Sequence, residues 1–282
     1  MLPKMLDYLL AHFFKEVDGL VHGEGEKEKE QKYQLMFEEI VRETAELVAL
    51  WQCYGFCHGV LNTDNMSIKS LTIDYGPYAW MEHHDPDFIC NHSDNDRGRY
   101  RYKAQPSICK WNLYKLSEAL DPIVDIEPTS NYIRSNFDEV YSHKFYLTMA
   151  QKLGLVLTKA PSLDGKEGFG TQRVNVAPQE FREISESERR CIDKFMESME
   201  QTGSDFTDSF RFLSQVSLAK GFEKALTNFV AICAPVKLLD KKDEPKQPPA
   251  QILKIKELLQ KQPMLLPMLG IQIKDAEEMV AQ

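Results

Sequence analysis

The stretch His58-Gly59-Val60-Leu61-Asn62-Thr63-Asp64-Asn65-Met66, followed closely by Asp74-Tyr75-Gly76, is where the reading of this 282-residue chain turns. Between these segments lie two β-prone runs, Met66–Ile68 and Leu71–Ile73, which predict a hairpin with Lys69 and Ser70 as its two-residue turn. In that register Ile68 faces Leu71, Ser67 faces Thr72, Met66 faces Ile73 and Asn65 faces Asp74. Opposed residues on antiparallel strands hold their Cβ atoms about 4.5–5.5 Å apart. An amide oxygen and a carboxylate at that spacing can share one Mg²⁺ ion. Asp64, on the bend entering the first strand, adds a third oxygen group. Taken singly, each residue has a plainer explanation. Asn and Asp flank hairpins as turn formers, and a lone histidine such as His58 is more often a buried, hydrogen-bonded residue than a ligand or base.

Outward from this segment the chain reads as helix and loop. Leu2, Leu6, Leu9, Leu10, Phe13 and Phe14 form a helical stripe, and the charged stretch Gly23 to Lys32 reads as a solvated loop. Tyr33, Met36, Phe37, Ile40, Val41, Thr44, Leu47, Val48 and Trp51 then recur at three- and four-residue spacing, the mark of an amphipathic helix. Residues 81–107 read as a long ordered loop. Helices are expected at 108–120, stopping before Pro122, and at 136–153, 185–200 and 205–232, the last capped by Asp205 or Thr207. The Gly-rich Pro161–Gly170 segment is not a phosphate-binding loop, because no Gly-Lys-Ser/Thr follows it. A charged linker at 237–249 precedes a last helix at 252–260 and a tail.

Composition bounds the function. Hydrophobic residues make up 43% and charged residues 27%, and 34 basic against 43 acidic residues leave a net charge of −9. That balance argues against a nucleic-acid-binding surface but not against a nucleotide site, which needs only a few local cations or a metal. No apolar run reaches the length of a membrane span, and Met1–Leu10 reads as a helix rather than a signal or transit peptide. Among the six cysteines only Cys53 and Cys57 are close, and no second pair completes a zinc site, so buried free thiols are expected. His83-His84 reads as a surface loop pair, since adjacent side chains diverge. Trp111 reads as core. Arg97, Arg99, Arg101 and Lys103 read equally as a substrate- or phosphate-facing loop and as a solvated one.

Taken together, the residues of the opening stretch carry more than they do singly. His58 to Asn65 has the spacing of the kinase pattern H-R-D-x-x-x-x-N, and Asp74-Tyr75-Gly76 stands where Asp-Phe-Gly would. Gly59 replaces the arginine and Val60 the catalytic aspartate, which leaves Asp64 as the nearby carboxylate able to substitute. The run Trp51 to Ile68, Leu71 to Pro77, Asp85-Pro86-Asp87, Asn91-His92-Ser93-Asp94, Arg97-Gly98-Arg99-Tyr100, Gln105-Pro106, Cys109, Trp111-Asn112-Leu113 and Lys115-Leu116 resembles the signature of the selenoprotein O family. The remainder resembles it more loosely, through Lys152-Leu153-Gly154-Leu155 and Asp205-Phe206-Thr207.

The resemblance implies a kinase-like fold that transfers AMP from ATP to protein hydroxyl side chains. It implies that Asn65 and Asp74 bind the metal, Mg²⁺ or Mn²⁺, and that Asp64 is the base. ATP is then a co-substrate and proteins are the partners, with no nucleic acid and no membrane. The family's mitochondrial location is expected too, with the cytoplasm as the alternative because no transit peptide is visible here. The fold expected is a kinase-like C-lobe, mainly α with a small β-hairpin, over residues 1–236, with its active-site block at 51–120, the linker at 237–249 and a helical tail at 250–282. Ser70 stands where the family has a turn glycine, and Lys69 where it has leucine. The residues before His58 read as helices, with no Gly-rich strand pair and no phosphate lysine, so the nucleotide-holding N-lobe is expected to be missing and the chain alone to be inactive. The alternative is a C-lobe that serves as a scaffold or interaction protein.

Overall fold

The computed structural model describes residues 1–23, 25–155 and 183–215, all within the first of the two units into which the chain divides, Met1–Ala234. The described part is mainly helical with one small antiparallel sheet. Its elements are α1 (Leu2–Phe13), α2 (Lys15–Asp18), α3 (Glu26–Tyr54), β1 (Phe56–Cys57), β2 (Ala79–Trp80), α4 (Gln105–Leu120), α5 (Ile126–Lys152), α6 (Glu186–Thr202) and α7 (Phe206–Gln215). The Gly-rich segment 161–170, residues 216–232, the linker and the C-terminal helix and tail expected from sequence lie outside the described residues.

The core forms where the sequence periodicity places it. Helix α3 buries Tyr33, Met36, Phe37, Ile40, Val41, Thr44, Ala45 and Val48 along one face, and α4 and α5 pack against it. Phe137 and Ile133 of α5 and Leu113 of α4 complete the centre, with Leu6 and Leu10 of α1 at one end. Burial of such side chains contributes about 1.5–3 kcal/mol each. The helix ends at Gly55, whose φ of +68° is the left-handed cap conformation. A Cβ there would also stand 2.9 Å from the Phe206 ring, so glycine is needed twice over.

Three expectations about secondary structure change. Helix α3 begins at Glu26, so the charged stretch 26–32 is helical rather than loop. Glu26 and Glu28 fall in its first turn, where negative charge favours the helix dipole, and Lys32 pairs with Asp18 at 2.7 Å. Helix α5 begins ten residues before the expected start. Its first turn is polar and contains Pro128, a position where proline is tolerated, and the Asp125 side chain caps the Glu127 amide at 2.9 Å. The third change is the hairpin. No strand forms at 66–68 or 71–73; the only ladder among the described residues joins β1 to β2, with Phe56 opposite Trp80 and Cys57 opposite Ala79. The turn lies one residue earlier than expected, closed by the Ser70 amide donating to the Ser67 carbonyl at 2.9 Å. Its second arm is tied elsewhere: Trp51 Nε1 donates to Thr72 Oγ1 at 3.0 Å, and His58 Nε2 meets the Ile73 carbonyl at 2.8 Å.

Helix α6 starts with a capping box between Ser185 and Glu188. Asp205 caps α7 by accepting from the Asp208 amide at 2.7 Å. The turn between them is stitched to the loop after β2, through Phe206 N–H to Glu82 O at 2.6 Å and a bridge of His83 with Asp205. His84 is buried, with its ring against Tyr102 and Phe206, which corrects the expected surface pair.

Candidate active site

The loop from β1 to Asn65 is positioned by side chains that bond backbone. Gln105, at the start of α4, accepts from the His58 amide and donates to the Phe56 carbonyl, both at 2.9 Å. Asn112, two turns along α4, donates to the Leu61 carbonyl at 3.0 Å. Asn91 donates to the Gly59 carbonyl at 3.1 Å. Gln52 exchanges two hydrogen bonds with Tyr102, so the last turn of α3 is fixed to the segment before α4. Gln52, Gln105 and Asn112 are buried, and a buried amide must be paired or it costs stability. Here each pairing also fixes a loop carbonyl or amide.

His58 is fully buried. Its Nδ1 accepts from the Val60 amide at 3.4 Å, so Nε2 donates to the Ile73 carbonyl at 2.8 Å. It is therefore a structural pin, not a ligand. That pin ties Ile73, the residue before Asp74, to His58, at the start of the loop that runs on to Asp64 and Asn65. Gly59 follows with φ +82°, and a Cβ there would meet Cys90 Sγ and the Pro77 carbonyl at 2.7 Å. Neither arginine nor any other side chain fits.

Asn65 is half-buried at the end of a short 3₁₀ turn, Thr63–Asn65. Its Nδ2 donates to the Val60 carbonyl at 3.1 Å, which leaves Oδ1 as an acceptor. Asp64 and Asp74 are exposed, and neither carboxylate has a hydrogen bond or ion pair with another described residue. Asp74 has φ +54°, a conformation uncommon outside glycine and one that Asp tolerates. Ser70 shares it, at φ +50°, and its hydroxyl contacts Thr44 Oγ1 at 3.3 Å. Among the described residues no group of three or more His, Cys, Asp and Glu side chains is placed to hold a metal ion. The donor set of Asn65, Asp74 and Asp64 is one amide and two carboxylates. Hard oxygens are the right class for Mg²⁺ or Mn²⁺, and Mg²⁺ is commonly bound through one or two carboxylates with the rest of its shell from water and phosphate.

Beside this loop lies a cleft of about 260 Å³ lined by Leu47, Leu50, Trp51, Tyr54, Phe56, Thr72, Tyr75 and Trp80. Tyr75, Tyr78, Trp80, Phe56 and Trp51 form a continuous aromatic run, with centroids of successive rings 5.1, 5.5, 5.2 and 5.7 Å apart. Leu71, Tyr75 and Trp80 are each more than half exposed.

Comparison with known proteins decides the family. The model of the family described as "Protein adenylyltransferase SelO" matches residues 1–261. The chain belongs to the SelO family. It is 35% identical over 279 residues to "Protein adenylyltransferase SelO, mitochondrial" of Homo sapiens, covering 98% of this chain and 37% of that protein. It is 40% identical over 215 residues to "Protein adenylyltransferase SelO-1, mitochondrial" of Danio rerio, over 76% of this chain and 26% of the relative. "Protein nucleotidyltransferase YdiU" of a Pseudomonas putida strain is 34% identical over 226 residues, 80% of this chain and 39% of the relative. The chain thus spans about two fifths or less of the length of these SelO relatives.

The remaining thiols and one lysine complete the surroundings. Cys53 and Cys109 are buried, and burial pushes the Cys53 thiol up to about 12. Cys57 and Cys90 lie side by side; the thiol contact and burial raise Cys57 and the same contact lowers Cys90. Lys152, at the end of α5, donates to the Cys53 carbonyl near the end of α3 and sits over the Phe210 ring at 3.5 Å. Burial lowers its amine to about 8. The positioning residues Gln105, Asn112, Asn91 and Gln52 were not singled out from spacing. The signal available was a polar amide at a position facing the core, as Asn112 is on the apolar stripe of α4.

Proposed function

We propose that the chain carries the metal-binding half of a kinase-like catalytic centre that transfers AMP from ATP to a hydroxyl group on a protein. Family membership supports the reaction class. The observation that carries the site assignment is the His58–Ile73 hydrogen bond, which ties the residue before Asp74 to the start of the loop that runs on to Asp64 and Asn65. Asn65, through its free Oδ1, and Asp74 would hold Mg²⁺ or Mn²⁺. Bound there, the metal would supply charge neutralisation of the triphosphate. Asp64, exposed and unpaired, would accept the proton of the attacking hydroxyl. The hydroxyl oxygen forms a bond to the α-phosphorus, the bond from that phosphorus to the bridging oxygen breaks, and pyrophosphate leaves. The left-handed backbone at Asp74 is a locally costly conformation of the kind that recurs at functional sites. The vertebrate relatives are named as mitochondrial, which supports that location, while bacterial relatives match as well.

The test is transfer of label from ATP labelled at the α-phosphate, with Mg²⁺ or Mn²⁺, in the 282-residue chain and in a protein completed with the remaining length of a relative. Asp74→Ala should abolish labelling and metal-dependent nucleotide binding. Asp64→Ala should slow transfer by about 10²–10⁴-fold and leave nucleotide binding intact, as expected of a general base. Equal loss of nucleotide affinity in both variants would make Asp64 a ligand. Labelling is expected only in the completed protein, because transfer depends on positioning all the phosphates. The exposed aromatic run beside the site favours one second reading, a non-catalytic interaction protein. Absence of labelling in both proteins, with Asp74→Ala silent, would support it.

A further inference from the structure

We propose that the surface around Arg97, Arg99 and Trp111 docks an acidic segment of the protein substrate next to Asp64. This rests on the reading above and extends it to the class of substrate. Trp111, expected in the core, is 42% exposed. The Arg99 guanidinium lies 5.0 Å from its ring centroid, and Lys115 Nζ lies 5.4 Å away. Arg99 also stands 5.6 Å from the Tyr100 ring. The indole thus braces the Arg99 guanidinium at the surface without neutralising it, beside Lys115, which Glu118 pairs.

The pairing pattern in this region is selective. Arg101 and Lys103 bind Asp87, Lys110 binds Asp138, and Lys115 binds Glu118. Arg97 and Arg99 are exposed and have no carboxylate partner among the described residues. On a chain of net charge −9 acidic partners are plentiful, yet these two guanidinium groups are left open. Planar guanidinium pairs match carboxylates bidentately. The nearest exposed acid in sequence is Asp96, which accounts for one charge of the several present.

The surface is also tied to the site. Tyr100 donates its hydroxyl to Asn62 Oδ1, and Asn112, the neighbour of Trp111 on α4, donates to the Leu61 carbonyl. Asn62 is two residues before Asp64. A polypeptide held on Arg97 and Arg99 therefore enters beside the proposed base, and its acidic residues lie near the acceptor hydroxyl in sequence.

The experiment uses the 282-residue chain without nucleotide, so it is independent of AMP transfer. Fluorescence anisotropy measures binding of a fluorescein-labelled peptide of alternating Glu and Gly, and of its Gln–Gly counterpart. The Glu peptide is expected to bind about tenfold more tightly at low ionic strength, with the difference fading as salt screens it. The Arg97→Glu/Arg99→Glu variant should abolish that difference, and Arg97→Lys/Arg99→Lys should keep most of it. Both positions are exposed, so folding is preserved. Equal binding of the two peptides, or a difference that survives charge reversal, would overturn the proposal. So would tighter binding of a single-stranded oligonucleotide of matched charge, which would mark a general polyanion surface. Peptide binding by the chain with no AMP transfer in the completed protein would sink the catalytic reading alone; AMP transfer in the completed protein with no peptide preference in the chain would sink the docking surface alone.

Discussion

The helical core and the loop between β1 and β2 are built by different forces. In α3, α4 and α5 the structure follows apolar periodicity, and side chains such as Phe37, Ile133 and Phe137 meet without any polar contact deciding their place. Between Phe56 and Trp80 almost nothing is periodic. Order there comes from amides and one imidazole donating to backbone carbonyls: Gln105 to Phe56, Asn91 to Gly59, Asn112 to Leu61, His58 to Ile73. The lesson is that the helices supply anchorage while single hydrogen bonds supply geometry. Stability and site integrity should therefore be separable by mutation.

The largest effect should come from the core. Phe37→Ala removes a fully buried ring and should cost about 3–5 kcal/mol of unfolding free energy, read by denaturant titration. Any peptide or nucleotide binding that survives should be unaltered under conditions where the chain stays folded. Gln105→Leu should cost less, about 2 kcal/mol, because it orphans the His58 amide and the Phe56 carbonyl. Its effect on the site should be out of proportion: far-UV circular dichroism unchanged, metal-dependent nucleotide binding lost. A variant that keeps full binding would show that the loop holds itself.

The smallest effect lies within the helical region, where α3, α5 and α7 meet around Lys152. Lys152 titrates near 8 when folded against 10.5 as a free group. Between those values the unfolded state holds the extra proton, so stability rises with pH. Cys53 opposes this from pH 9 upward, since its folded value is about 12 and the folded thiol keeps its proton. The rise should be visible only between about pH 8 and 9, where the lowered Cys90 thiol adds to it, and Lys152→Met should reduce it in thermal melts.

These differences also explain what the sequence disclosed. Tyr33 to Trp51 announced α3 because burial imposes a helical period. The start of α5 was hidden, because Glu127-Pro128-Thr129 carries no apolar signal and its helix depends on the Asp125 cap. In the site, Asp64, Asn65 and Asp74 were read as a motif, and the structure ties Ile73, the residue before Asp74, to His58. Their expected hairpin was not formed: His58 takes the Ile73 carbonyl that strand pairing would have used, and Trp51 holds the Thr72 side chain instead. Long-range competition of this kind leaves no trace in local spacing. Trp111 was misplaced for a similar reason. Its position on an apolar stripe said core, while Arg99 and Lys115 give it a stable place at the surface.

The aromatic run from Tyr75 through Tyr78, Trp80 and Phe56 to Trp51 gives the loop a spectroscopic signature of its own. Rings at 5.1–5.7 Å, several of them edge to face, couple their electronic transitions, and the sign and intensity of that coupling depend on their relative tilt. Two of the chain's three tryptophans stand in this run, and only one, Trp111, stands outside it. The segment that bears Asp74 thus contributes to the near-ultraviolet optical activity of the protein through Tyr75, Tyr78 and Trp80. A movement of that segment too small to alter helix content would still be written in its aromatic spectrum.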